Sequence, residues 1–185
     1  MIPLIIDPAK LRIALVGTGP LALRRLELLR AGGAGPAVFA PGGDGALEAL
    51  AGETYQPRMP DAADLAGVHV LFVAGLADDA GETLAAEARA LGILVNVEDV
   101  IPLCDFHVPS IVRRGDLLLT VSTRGRSPGL SRLLRLALER LFPAVWAKRL
   151  DRAADLRDRM RAEGADGAAI NRAVELLATE EGWLP

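Results

Sequence analysis

A short apolar run that empties into a glycine turn and then into a helical pattern constrains this chain more than any other feature. Leu11-Arg12-Ile13-Ala14-Leu15-Val16 reads as a strand, Gly17-Thr18-Gly19-Pro20-Leu21-Ala22 as the turn, and 20–31 as a helix. A strand followed at once by a helix belongs to a parallel sheet, whose neighbouring strands are joined by crossovers. The turn residues also suit a second task. Gly17 allows the sharp bend, Gly19 bares the backbone to a pyrophosphate, and Ala22 is small enough to keep the helix on the sheet. Pro20 fits a first helical turn, where its missing N–H has no helical partner, and the free amides and dipole there can hold a phosphate. Gly17, Thr18, Gly19, Pro20, Leu21 and Ala22, with Ala40 and Pro41 closing the second strand, are the candidate cofactor positions. The alternative is a glycine turn that only packs a strand on a helix. A carboxylate about 20 residues on usually takes the ribose hydroxyls, yet Ala37-Val38-Phe39-Ala40-Pro41 offers none. Asp44 can substitute from a flexible loop, which leaves the choice between NAD and NADP open.

The same alternation continues. Strand-like runs at 12–16, 36–40, 68–74, 93–97 and 117–122 are separated by helical patterns at 20–31, 44–51, 79–91 and 128–141. This predicts an α/β fold with a Rossmann-like, doubly wound parallel sheet. Beyond Phe142-Pro143 only helical spacing remains, from Trp146 through Arg161 and again over 168–180, divided by Gly164-Ala165-Asp166-Gly167.

At 185 residues the chain can bury a proper core and fits one domain, or one domain with a helical appendix. No apolar stretch approaches the ~20 residues of a membrane span, and no basic region precedes a signal-type core, so no membrane association is expected. The single Cys104 excludes an internal disulfide and fits a reducing cytoplasm. A net charge of −3 argues against nucleic acid as the main partner. The charge is uneven, however. From Arg113 to Arg140 there are seven arginines against Asp116 and Glu139. That segment faces something anionic, or a solvated helix face, or the acids of a second subunit.

Asn96-Val97-Glu98-Asp99, Cys104-Asp105-Phe106-His107-Val108-Pro109-Ser110 and Ser122-Thr123-Arg124-Gly125-Arg126-Ser127-Pro128 gather carboxylates, hydroxyls and arginines near expected strand ends. Together with Ile2-Pro3-Leu4-Ile5-Ile6 and Arg24-Arg25-x-Glu27-Leu28-Leu29 after the glycine turn, they occur in an order that resembles one family over residues 2–143. The chain is similar to the precorrin-2 dehydrogenase / sirohydrochlorin ferrochelatase family, the N-terminal module of siroheme synthase. The resemblance implies an interlocked homodimer with a dinucleotide-binding Rossmann domain (1–112), a dimerisation segment (113–143) and a small helical C-terminal domain (144–185).

It also implies the chemistry. Precorrin-2 is oxidised to sirohydrochlorin with NAD as cofactor, and in some members Fe2+ is then inserted into that tetrapyrrole. Asp99 matches the family's central acid/base residue; from the residues alone it reads as a turn cap after a strand. Asp105 is the other carboxylate available as a base. Thr123 aligns with a hydroxyl in the substrate cleft, Arg124 and Arg126 enlarge the neighbouring loop and suit the tetrapyrrole carboxylates, and Ser127 caps a helix whose amides can bind one of them. Cys104 and His107 would fall on opposite faces of a strand, so no metal ligands are assigned. His69 reads as structural. The chain departs from the family at Thr18, which replaces a middle glycine, at Arg25, where lysine is common, and at Ala74-Gly75-Leu76-Ala77, where a hydroxyl is lost or displaced. The last of these changes keeps open a reading as a dinucleotide-binding sensor without catalysis, and a dehydrogenase for another anionic metabolite is a second alternative.

Overall fold

The computed structural model describes residues 2–183, which divide into two compact units meeting between His107 and Val108. In the first, β1 (Ile13–Gly17), α1 (Gly19–Ala31), β2 (Ala37–Phe39), α2 (Gly45–Ala51), β3 (Tyr55–Gln56), α3 (Ala62–Leu65), β4 (Val70–Ala74), α4 (Asp78–Ala90) and β5 (Leu94–Val97) follow one another. The five strands form one sheet in the order β3-β2-β1-β4-β5, and every neighbouring pair is parallel. The chain runs outward from β1 to β3, then returns to start β4 on the other side of β1. The expected doubly wound α/β fold is therefore present, with its switch point between β1 and β4.

The central strands read as unbroken apolar runs because helices cover both faces of the sheet. Ala14, Leu15 and Val16 of β1 are wholly buried, and so is Leu71 of β4. Ala14, Val16 and Leu71 pack with Phe39, Leu84, Ala85, Val95 and Val97 in one core. At the start of β4, His69 accepts the Arg12 N–H through Nδ1 at 3.0 Å, the structural role its sequence setting suggests.

The second unit holds β6 (Ser110–Arg114), β7 (Leu117–Val121), α5 (Pro128–Leu141), α6 (Trp146–Ala162) and α7 (Gly167–Glu180). Two expectations change here. The 117–122 strand does not join the parallel sheet; it pairs antiparallel with β6, from Ser110 opposite Val121 to Arg114 opposite Leu117. Gly115, at φ +59°, opens the two-residue connection, where a tight hairpin turn calls for a residue at positive φ. The fifth strand of the sheet is the two-residue β3 instead. The expected domain limit after residue 112 also falls inside β6, whose hydrogen bonds to β7 carry Val108 onward into the second unit.

In that unit Phe142, Trp146 and Trp183 pack ring against ring, with centroids 5.0 Å and 6.2 Å apart. The Arg149 guanidinium lies 4.9 Å from the Trp146 ring centroid and 5.7 Å from that of Trp183. Arg152 pairs with Glu181 to tie α6 to the end of α7.

Candidate functional site

The glycine turn lies at the switch point. A Cβ on Gly17, at φ +153°, would fall 1.7 Å from the Ala74 carbonyl oxygen, so only glycine lets the ends of β1 and β4 touch. Thr18 N–H donates to that same carbonyl at 3.2 Å. Gly19, at φ +72°, has nothing within 4 Å of the position a Cβ would take. The backbone there is open to an incoming group, as a pyrophosphate seat requires. Pro20 stands in the first turn of α1, and Ala22 is wholly buried against the sheet. Leu21 reaches the adjoining cleft.

Thr18 starts α1 without capping it through its own side chain; the Gly19 amide is taken by Asp44, and the amides after it are left for a ligand. The Thr18 hydroxyl donates instead to the Gly75 carbonyl at 3.3 Å, and the Thr18 carbonyl lies 2.2 Å from where a Gly75 Cβ would stand. The two family departures thus touch. A hydroxyl reaches the turn after β4 from the β1 side.

Asp44 is not carried by a free loop. It caps α2, with Oδ1 accepting the Ala46 and Leu47 N–H groups and Oδ2 accepting Gly19 N–H at 2.7 Å. The Gly19 amide first, and then the Leu47 amide, hold its carboxyl below the usual range. A charged acid therefore sits beside the expected cofactor turn. Ala40 is buried, donates its N–H to Gln56 and accepts that of Gly43, so Ala40 and Pro41 close β2 in a tight bend.

Asp99 occupies a four-residue turn at the carboxyl end of β5, closed by Val100 N–H donating to the Val97 carbonyl at 3.2 Å. Its φ of +63° lies in the left-handed region, which costs a residue other than glycine roughly 1–2 kcal/mol, although aspartate tolerates it better than most. The side chain is exposed and lines a cleft of roughly 600 Å³ with Leu21, Gly75, Leu76, Glu82 and Glu98. The cleft thus adjoins the glycine turn through Leu21 and Gly75. Asp105 is not free to act as a base. Oδ1 accepts Arg89 Nε–H and Oδ2 accepts Val95 N–H, both at 2.9 Å. Cys104 donates its thiol to the Val97 and Val100 carbonyls, and burial pushes its pKa up.

The four expected substrate residues share one loop of the second unit. Thr123 spends its hydroxyl inside it, donating to the Ser127 carbonyl at 3.1 Å and lying 3.0 Å from Ser131 Oγ. Ser127 caps α5 by accepting Leu130 N–H at 3.3 Å. Arg124 and Arg126 are exposed, Arg124 at φ +57°, and neither forms an ion pair among the described residues. Of the other arginines in this segment, Arg114 donates to the Phe142 carbonyl and Arg135 pairs with Glu139, so both serve the fold. Sequence reasoning missed the buried Arg25, which pairs with Glu98 behind Asp99.

A family model described as "Putative NAD(P)-binding" matches residues 4–110, the span that holds the glycine turn and Asp99. The chain belongs to this family. Within it, the relatives named siroheme synthase bear out the resemblance read from the sequence. One from Pseudomonas putida (strain W619) is 39% identical over 155 residues, 81% of this chain and 33% of that protein. Another, from Methylococcus capsulatus (strain ATCC 33009 / NCIMB 11132 / Bath), is 34% identical over 163 residues, 86% of this chain and 34% of that protein. The chain spans about a third of the length of these curated relatives. A solved structure titled "SirC, precorrin-2 dehydrogenase" superposes with a TM-score of 0.79 over 100% of this chain and 92% of its own, at 21% identity, which establishes a shared fold.

Proposed function

We propose that the chain is an NAD-dependent dehydrogenase that oxidises precorrin-2 to sirohydrochlorin in siroheme biosynthesis. The observation that carries this reading is the exposed Asp99 in its left-handed turn, lining a cleft that borders the glycine turn. NAD supplies the hydride acceptor. Residues 17–22 bind its pyrophosphate, Ala40 and Pro41 border the nucleotide, and Asp99 takes the proton released as the tetrapyrrole loses a hydride. Arg124 and Arg126, free of ion pairs among the described residues, meet the substrate carboxylates with Thr123 and Ser127. Insertion of Fe2+ into sirohydrochlorin would draw on the same carboxylate, with the two displaced pyrrole protons passing one after the other through Asp99 to solvent.

The protein acts in the cytoplasm as a homodimer. Helix α5 supports this, because Leu130, Leu133 and Leu141 are 48%, 62% and 64% exposed in the single chain. No helix among the described residues is long and apolar enough to cross a membrane.

The test is an anaerobic absorbance scan of the protein with precorrin-2 and NAD, since oxidation extends the conjugation of the macrocycle. Asp99→Asn keeps shape and hydrogen bonding but removes the base, so dehydrogenation falls by on the order of 10²–10⁴-fold while NAD affinity is kept. A wild-type rate in this variant would sink the role of Asp99. No spectral change with the wild-type protein would sink the substrate.

A further inference from the structure

Arg25 lies in the second turn of α1, the helix that starts at the glycine turn, yet its side chain is one of the few charged groups in the core. Its guanidinium pairs with the Glu98 carboxylate and lies 5.3 Å from the centroid of the Phe72 ring on β4. Phe72 is itself braced edge to face by Phe106, 5.4 Å away, whose carbonyl accepts the buried Asn96 side-chain amide at 2.9 Å. The contact therefore has a rigid floor. Taking an arginine out of water carries a large desolvation penalty, and an apolar side chain of similar length would fill this space without it. The ion pair is a poor way to gain stability and a good way to fix geometry.

What it fixes is the turn of Asp99. Glu98 and Asp99 are the two central residues of the turn closed between Val97 and Val100. The Glu98 N–H donates to the Val73 carbonyl at 2.8 Å, and its carboxylate is held by Arg25. With residue 98 tethered at both ends, the peptide plane between Glu98 and Asp99 cannot rotate freely. That plane sets the left-handed backbone of Asp99 and so the direction of its carboxylate.

We infer that Arg25 is a positioning residue for the reaction: through Glu98 it locks the Asp99 turn to the helix that carries the cofactor turn. The inference rests on the reading of Asp99 as the acid/base group. It acts on the chemical step, not on binding, because Arg25 is buried behind the turn and does not line the cleft.

The test compares Arg25→Met and Arg25→Lys with wild type, each rate normalised to folded protein by thermal melts. Arg25→Met keeps length and packing and loses the ion pair. Its kcat for precorrin-2 oxidation falls by about tenfold to a hundredfold, the scale of a misplaced reacting group, with KM for substrate and Kd for NAD unchanged. Arg25→Lys recovers most of the loss. Amide exchange at Val100, which reads the turn without turnover, speeds up in Arg25→Met. A lowered melting temperature with wild-type kcat, or unchanged Val100 protection, would overturn the inference and leave Arg25 a packing residue. Asp99→Asn is run alongside. A wild-type rate there would sink the acid/base reading instead, and Val100 protection would still decide whether Arg25 holds the turn.

Discussion

Gly17 and Gly19 stand two positions apart in one turn and face opposite tests. A methyl group at 17 would meet the Ala74 carbonyl oxygen at 1.7 Å, whereas one at 19 would meet nothing within 4 Å. Gly17→Ala must push β1 and β4 apart at the switch point, a forced overpacking of about 1–3 kcal/mol or more that shows as a lower melting temperature. Gly19→Asp leaves the core intact and places a carboxylate in the open space. At φ +72° the new side chain carries a left-handed backbone cost of roughly 1–2 kcal/mol, so a smaller loss of stability than in Gly17→Ala is expected, together with loss of NAD binding in a calorimetric titration. Equal loss of stability in the two variants would refute the distinction. At this scale the sequence is a good guide wherever the reason is local: Gly17, Gly19, Pro20 and Ala22 each answer a demand of their own turn. Arg25 and Glu98 lie 73 residues apart in the chain, and no periodicity brings them together before the sheet is built.

Helix α3 shows how an element of four residues survives. Asp61 Oδ1 accepts the N–H groups of Ala63 and Asp64, Asp64 Oδ2 accepts Asp61 N–H at 2.7 Å, and Arg58 grips Asp64 from outside. This is a capping box with a cationic clasp. The Arg58 contact first, then the Asp61 amide, lowers the Asp64 pKa to about 2. A carboxyl depressed on folding stabilises the protein above its unfolded pKa of about 3.9, and that contribution disappears as pH falls through the folded value. Asp64→Asn is therefore expected to lower the melting temperature at neutral pH, with the two proteins converging as pH approaches about 2. A difference that persists in acid would assign the effect to packing. The elements themselves were largely readable, because six helical patterns and all five apolar runs fall where they were expected, four of the runs in the parallel sheet. The exception is instructive. Leu117-Leu118-Leu119 looks like a doubly buried parallel strand, and only the Gly115-Asp116 pair signals a hairpin with the mixed Ser110–Arg114 run before it. β3, at two residues, is too short for any period to register.

For the molecule as a whole, the leucines of α5 carry the consequence. Side chains as exposed as Leu133 and Leu141, at 62% and 64%, form the type of apolar surface that a partner covers. Leu133→Glu is expected to convert a sedimenting dimer into a monomer. It should also remove the dependence of the melting temperature on protein concentration that a dimer shows. A variant that sediments as the wild type does would discard α5 as the dimer face.

The stacked indoles have a use beyond packing. The sequence contains two tryptophans, and Trp146 and Trp183 both belong to the second unit. Tryptophan fluorescence is thus a built-in reporter of the C-terminal helices, and excitation at the red edge, beyond the absorption of Tyr55 in β3, leaves the NAD(P)-binding sheet silent. Circular dichroism sees both. A denaturant titration followed by the two signals will give coincident midpoints if the chain melts as one cooperative body, and separated midpoints if the C-terminal unit lets go at a different concentration.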